Sequence, residues 1–269
     1  MLVLPVGYLL AFFVFPFFWL LGESLTAPNL TLEYYSRALF VPVYGTTILR
    51  TVLLSSAVAV ACVAISFPLA LWMTTIRGRL RGFVLVCVAV PLWTSVLVRS
   101  YAWIIILQRH GIVNEGLRAT RLISDYLPLL YNWFSIFVGV LYVMLPFMIT
   151  ILYVTFRRID PHLIQAALSL GASREFVFRN VFLPLVMPGV AAGVLVVFAL
   201  TMGYFITPAL LGGRGTTMIA MIINTQMNQT LDWPFASALA IILMVVVIAT
   251  TGFAALLYRR LARYGGDIF

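Results

Sequence analysis

Six long apolar stretches constrain the fold of this chain more than any other feature of its sequence. Each can cross a hydrocarbon core of about 30 Å as an α-helix. With 63% hydrophobic and 9% charged residues, the chain is too apolar for a soluble domain. The sequence therefore predicts an all-α membrane protein with six transmembrane helices in a single domain, residues 1–269. The predicted spans are approximately Leu2–Gly22, Thr47–Ile76, Phe83–Leu107, Leu129–Phe156, Pro188–Leu211 and Phe235–Leu257.

The arginines predict how the spans are oriented. Because positively charged loops stay in the cytoplasm, we expect three basic segments on that side, and with them both termini. The first stretch lacks the basic start and cleavage site of a signal peptide, so we interpret it as a span, and its abrupt beginning suggests a shortened N-terminus. The basic segments contain Arg77, Arg79 and Arg81; Arg157, Arg158, Arg174 and Arg179; and Arg259, Arg260 and Arg263.

Charge and residue usage exclude several functions. The net charge is +9, but the arginines cluster in short loops beside apolar stretches, which indicates membrane topology and no nucleic-acid partner. The chain contains no lysine, so it has no Walker A phosphate loop, and any ATP that drives it must be hydrolysed by another chain. Two isolated histidines and two cysteines inside apolar runs predict neither a metal site nor a catalytic site.

The segment from Asp160 to Ser173 predicts a short helix with defined ends. Asp160 can accept hydrogen bonds from the first free N–H groups, and Pro161 suits the first helical position because no donor is needed there. Gly171 can leave the helix in a left-handed conformation. The helix is too short to span a bilayer and lies among cytoplasmic arginines, so we interpret it as a docking helix for a cytosolic partner. Its apolar stripe consists of Leu163, Ala166, Ala167 and Leu170.

This segment resembles the EAA loop of bacterial ABC importer permeases in Gln165-Ala166-Ala167, Gly171 and Val181-Phe182-Leu183-Pro184. The resemblance implies the type I ABC importer permease (MetI-like) fold, with a cytoplasmic coupling loop over residues 157–187 whose helix seats in a groove of the ATPase. The family's glutamate is Gln165 here, which removes a charge. The alternative, a helix that merely lies on the membrane surface, does not explain the spacing from Gly171 to Pro184. The implied coupling residues are Asp160, Pro161, Leu163, Gln165, Ala166, Ala167, Leu170 and Gly171.

Further phrases are similar to the membrane helices of the spermidine/putrescine branch of that family. The resemblance implies a translocation path for a small organic solute, first a polyamine such as spermidine or putrescine, alternatively an amino acid-like or phosphonate-like solute. It implies a second permease subunit in a heterodimer, two ATPase subunits and a periplasmic solute-binding protein. This chain would bind no cofactor and would not be an enzyme, since ATP and magnesium would bind the ATPases. The phrases are residues 66–70, 91–94, 98–103, 145–148, 207–213 and 232–235.

Polar and aromatic residues in or beside the spans are candidates for the transport path or gate. Arg99 is a charge inside a span and must be paired, hydrated or near the interface. Because it would repel a polyamine, structural pairing or gating suits it better than direct binding. Aromatic rings can bind an amine by cation–π contact or form an interfacial belt. The candidates are Trp93, Arg99, Tyr101, Thr201, Tyr204, Thr207, Asn224 and Asp232.

Two groups of these candidates carry structural predictions. Thr201, Tyr204 and Thr207 recur every three residues, which predicts a polar and aromatic strip along the fifth span. Residues 216–231 form an amphipathic segment, either a gate helix or a periplasmic surface helix. Asp232 follows it and can cap the last span.

Two other classes of protein compete with a permease. A secondary transporter would need a coupling-ion site near the midplane, and the spans offer no buried carboxylate or internal repeat for one. An intramembrane enzyme would need catalytic groups, and the spans hold no lysine and no carboxylate pair. Both are therefore weaker interpretations than a permease driven by a separate ATPase.

Overall fold

A computed structural model describes residues 3–26 and 31–266, with side chains described at positions 5–8, 10–12, 14–25 and 31–256. These residues form helices and no strands, which confirms the all-α prediction. Leu2 and the side chains of Arg259, Arg260 and Arg263 lie outside the described residues. The helices are α1 (Val3–Thr26), α2 (Glu33–Phe40), α3 (Pro42–Thr75), α4 (Gly78–Trp93), α5 (Val96–Leu107), α6 (Ile112–Ala119), α7 (Trp133–Arg157), α8 (Pro161–Ser169), α9 (Arg174–Val177), α10 (Leu183–Met202), α11 (Ile206–Leu211), α12 (Ile219–Asn228) and α13 (Trp233–Gly266), with a π-helical turn (Phe178–Phe182) between α9 and α10.

Five helical segments in the described part of the chain are long and apolar enough to cross a membrane: α1, α3, α7, α13 and the continuous segment Arg174–Met202. A sixth crossing requires Gly78–Trp93 and Val96–Ala119 together, and these two segments meet at an angle of 98°. The predicted span Phe83–Leu107 therefore contains a break. The chain becomes extended at Thr94 and Ser95, where the Thr94 hydroxyl donates to the Pro91 carbonyl at 2.9 Å and satisfies one of the acceptors that the break exposes.

The fifth predicted span, Pro188–Leu211, also has different bounds. Its helix begins at Arg174, because the wide π turn lets the Leu183 N–H donate to the Phe178 carbonyl just before Pro184, which has no N–H to donate. It ends at Met202, and the chain breaks before the short helix α11. Pro184 and Pro188 therefore lie within this helix without ending it.

The core lies where α3, α7 and α10 pack together. Gly189 and Gly193, four residues apart on α10, allow this helix to approach α7 closely, because a Cβ on Gly189 would collide with Thr155 and a Cβ on Gly193 would lie 2.7 Å from the Met148 sulfur. Small residues at this spacing are a common way for membrane helices to pack. α1 and α13 lie against each other at the periphery, and their apolar surfaces are largely exposed, as suits lipid-facing helices.

Candidate functional site

Helix α8 has the ends that the sequence predicts. The Asp160 carboxylate accepts a hydrogen bond of 2.9 Å from the His162 N–H, and Pro161 occupies the first turn. Gly171 has φ of 87°, a left-handed conformation that costs glycine little. The Ala172 N–H then donates to the Ala167 carbonyl at 3.2 Å, which satisfies one of the free acceptors at this end. The predicted helix and its caps are confirmed, while its coupling role stays a prediction.

The two faces of α8 differ in exposure. Ile164 is half-buried and packs against the core cluster, and Ala167 is also half-buried. Leu163, Ala166 and Leu170 are exposed, and Leu170 has 89% of its surface accessible. The predicted stripe is therefore divided. Most of it points away from this chain, as a docking surface must, and Gln165 is exposed beside it.

Aromatic packing anchors the chain on both sides of α8. Phe156, at the end of α7, contacts Phe182 of the π turn edge to face, with ring centroids 5.4 Å apart. Phe67 of α3 contacts Phe156 in the same way at 5.1 Å. Four residues separate Phe156 from α8, whereas twelve residues, including α9, lie between α8 and Phe182.

Arg99 lies at the break between α4 and α5. Its Nη1 donates a hydrogen bond of 2.7 Å to the Pro91 carbonyl, and in the described part of the chain its buried Nε has no hydrogen-bond partner. The C-terminal end of α4 carries free carbonyls and the negative end of the helix dipole, which a cation stabilises. Structural pairing is therefore the role that this geometry supports for Arg99.

A chain of three hydroxyl groups joins the second broken span to the first. Ser100 Oγ of α5 lies 3.1 Å from Thr207 Oγ1 of α11, and both residues are buried. Thr207 donates to the Tyr204 hydroxyl at 3.3 Å. Ser100 was not among the sequence candidates, although a hydroxyl between Arg99 and Tyr101 in an apolar helix could have indicated it.

The prediction that Thr201, Tyr204 and Thr207 form a strip along one helix of the fifth span is wrong. Thr201 is buried and donates to the Val197 carbonyl of its own helix at 2.8 Å. Tyr204 and Thr207 lie beyond the break that follows Met202, so the three residues do not share the face of one helix. Tyr204 is half-buried, whereas Trp93 and Tyr101 are exposed.

The two remaining candidates have local partners. Asp232 accepts from the Phe235 N–H at 3.2 Å, which confirms that it caps α13, and it forms an ion pair with Arg37 at 3.4 Å. The Arg37 guanidinium lies 4.2 Å from the centre of the Phe235 ring. Asn224 is half-buried and accepts from the Asn228 amide at 2.9 Å.

Sequence reasoning also missed two contacts that hold α12 and the loop before it against α3. Thr51 Oγ1 accepts a hydrogen bond of 3.1 Å from the Ile219 N–H, and Arg50 donates to the Gly215 carbonyl at 3.2 Å.

Among the described residues, no group of three or more histidine, cysteine, aspartate or glutamate side chains could hold a metal ion.

Residues 66–263 match the family described as "Binding-protein-dependent transport system inner membrane component". The chain belongs to this family. It is a multi-pass permease subunit of an ABC importer in the inner membrane, as the EAA-loop resemblance implied.

Two relatives that align with most of this chain are spermidine/putrescine permeases. The chain is 31% identical over 271 residues to the spermidine/putrescine transport system permease protein PotB of Escherichia coli (strain K12), covering 98% of this chain and 97% of that protein. It is 34% identical over 226 residues to PotB of Haemophilus influenzae, covering 84% of this chain and 79% of that protein.

Solved structures support the same fold. A chain of a bacterial ABC transporter involved in the import of the acidic polysaccharide alginate has a TM-score of 0.77, with 21% identity and coverage of 97% of this chain and 94% of that one. A chain of the MetNI methionine ABC transporter has a TM-score of 0.60, with 15% identity and coverage of 85% and 97%. These likenesses confirm the importer permease fold.

Proposed function

We propose that this permease forms the translocation path for a polyamine such as spermidine or putrescine. The observation that carries the proposal is the similarity to PotB over 98% of this chain. Polyamines are flexible cations, and none of the six spans predicted from the sequence contains an aspartate or a glutamate. Recognition in the path would therefore depend on aromatic faces, hydroxyl groups and backbone carbonyls, which attract ammonium groups without a full opposite charge.

The half-buried ring of Tyr204 is the best candidate for this contact. Its hydroxyl is held by Thr207, so the ring has a fixed position at the break after α10. The carbonyls at the end of α10 lie beside it, and such helix ends favour cations. Trp93 and Tyr101 are exposed and would contact lipid or the second permease subunit. We assign Arg99, Thr201, Asn224 and Asp232 to the support of the path, since each is bound to a local partner.

The outer face of α8 would dock on an ATPase subunit through Leu163, Gln165, Ala166 and Leu170. Its exposure and its capped ends support this role, because a rigid helix transmits displacement and a frayed one does not. The complete transporter would contain a second, different permease, two ATPases that bind ATP and magnesium, and a periplasmic binding protein. Both termini of this chain, like α8, would be cytoplasmic. Closure of the ATPases would move α8 and rock the bundle between two states.

Uptake into proteoliposomes tests the proposal. The complete transporter, with its binding protein, should import radiolabelled spermidine or putrescine only when ATP is enclosed with the ATPases. Import of an amino acid or a phosphonate, without import of a polyamine, would assign a different solute to this transporter. Uptake that survives an inactive ATPase but collapses with the proton gradient would contradict the ABC mechanism in favour of a secondary transporter.

A further inference from the structure

A groove of about 610 Å³ lies between the inner face of α8 and the ends of α3, α7 and the π turn. This volume lies within the range of about 300–1,000 Å³ that is typical of small-molecule sites. Its walls are mainly apolar and aromatic. They include Leu71, Phe156, Ile159, Ile164, Leu168, Val177, Phe178 and Phe182.

The rim of the groove is basic. Arg157 and Arg174 line it and are exposed, and within the described part of the chain neither guanidinium forms a hydrogen bond or an ion pair. The nearby Arg179 differs, because it pairs with Glu175 at 3.7 Å. Asp160 uses its carboxylate to cap α8. Two cations at the mouth of an apolar groove therefore lack a protein counter-ion.

The groove also lies at a membrane boundary. α3 and α7, which are long and apolar enough to span, end beside it at Thr75 and Arg157. Trp72 is exposed on the last turns of α3, where aromatic residues favour the headgroup region. The groove therefore lies at the level where the spanning helices end, and basic pockets between membrane helices near such a boundary bind anionic lipids.

We propose that this groove binds an anionic phospholipid, with an acyl chain between α8 and the core and the phosphate between Arg157 and Arg174. An apolar lining of this size favours a lipid over free inorganic phosphate, which would leave the aromatic walls without a partner. Since Pro161, Ile164 and Leu168 form one wall, the lipid supports α8 from its inner face. The outer face remains free for docking. This inference depends on the membrane location of the family and not on the transported solute.

Native mass spectrometry of the full chain in detergent tests the site. Titration with dioleoylphosphatidylglycerol should give tighter binding than titration with dioleoylphosphatidylcholine. Loss of one arginine near the headgroups corresponds to about a fivefold loss of affinity, so Arg157→Gln with Arg174→Gln should weaken the anionic lipid about 25-fold. The matched control is Arg158→Gln with Arg179→Gln, which makes the same change in net charge at arginines outside the lining and should change affinity little.

A second variant tests the groove itself without changing charge. Thr74→Phe places a ring in the α3 wall and should weaken phosphatidylglycerol binding while both arginines remain. If the double arginine variant does not fold, the single variants and Thr74→Phe provide the same comparison.

Four results would overturn the proposal. The first is equal affinity for the two lipids, and the second is an equal loss in the control variant, which would indicate nonspecific attraction. The third is full competition by inorganic phosphate. The fourth is a structure of the assembled transporter in which a partner's side chain occupies the groove, which would assign the groove to a protein contact.

Discussion

The guanidinium of Arg99 donates a hydrogen bond of 2.7 Å to the carbonyl oxygen of Pro91, across the break that separates α4 from α5. This contact explains how a charge is tolerated in an apolar segment. Breaking a helix exposes carbonyls that lipid cannot satisfy, and a nearby cation stabilises them. Arg99 therefore stabilises the bend itself, and the broken span and its arginine are one structural unit.

Replacing Arg99 by methionine tests this role. We expect a loss of about 1–3 kcal/mol of stability, because the Pro91 carbonyl loses a charged donor. The melting temperature of the purified chain should fall, while the KM for solute in the folded fraction should remain unchanged. Trp93→Phe, at a side chain with 89% exposure beside the same break, is the control and should melt normally. An unchanged melting temperature with a raised KM would instead assign Arg99 to solute binding.

Tyr204 provides the test of the transport path. Tyr204→Ala should lower polyamine uptake about tenfold, equivalent to the loss of roughly 1.4 kcal/mol of cation–π and hydrogen-bond energy, without preventing assembly. Tyr204→Phe keeps the ring but removes the hydroxyl that accepts from Thr207, so it should retain most of the uptake. Uptake at the wild-type rate in the Ala variant would remove this residue from the path.

The local features of α8 could be predicted from the sequence, whereas the breaks in two spans could not. Asp160, Pro161 and Gly171 act within a few residues of the helix that they delimit, so their signals are visible in the chain alone. The breaks fall at Thr94 and Ser95 and at Gly203, which interrupt apolar runs too briefly for hydropathy averaged over a span to mark them.

Long-range partners explain the remaining differences. The bond between Ser100 and Thr207 joins residues 107 positions apart, and that between Ser135 Oγ and the Leu211 carbonyl joins residues 76 apart. Such contacts determine where α5 and α11 lie, and no short pattern encodes them. Thr201 illustrates the converse, because it is fully buried and its hydroxyl donates to the Val197 carbonyl of its own helix.

Close packing of α10 on α7 predicts sensitivity at Gly193. A Cβ there would lie 2.7 Å from the Met148 sulfur, so Gly193→Leu should force the helices apart and cost about 1–3 kcal/mol by overpacking. Thermal denaturation in detergent measures the effect. Gly252→Leu on α13 is the matched control, since no atom lies within 4 Å of its Cβ position. Equal melting temperatures for the two variants would contradict the packing.

Two variants of Asp232 separate the stability that its helix cap contributes from the stability that its ion pair with Arg37 contributes. Asp232→Asn keeps a capping side chain but removes the charge that pairs with Arg37, and a partly exposed pair of this kind contributes about 0–1 kcal/mol. Asp232→Ala removes both and should lose about 1–2 kcal/mol. The melting temperature should therefore fall little in the first variant and clearly in the second. Equal losses in both would assign the stability to the ion pair.

The outer face of α8 provides the decisive test of coupling. Ala166 is exposed, and its small side chain permits close approach of a partner, so Ala166→Trp should weaken ATPase binding at least about tenfold while the permease still folds. Co-purification of the ATPase with the tagged permease measures this, and melting temperature monitors folding. Leu122→Trp makes a comparable change at an exposed residue far along the chain and should leave binding intact. A bulky indole on a docked coupling helix would separate the two protein surfaces. If the Ala166 variant retains its ATPase and its transport rate, α8 is therefore not the coupling helix.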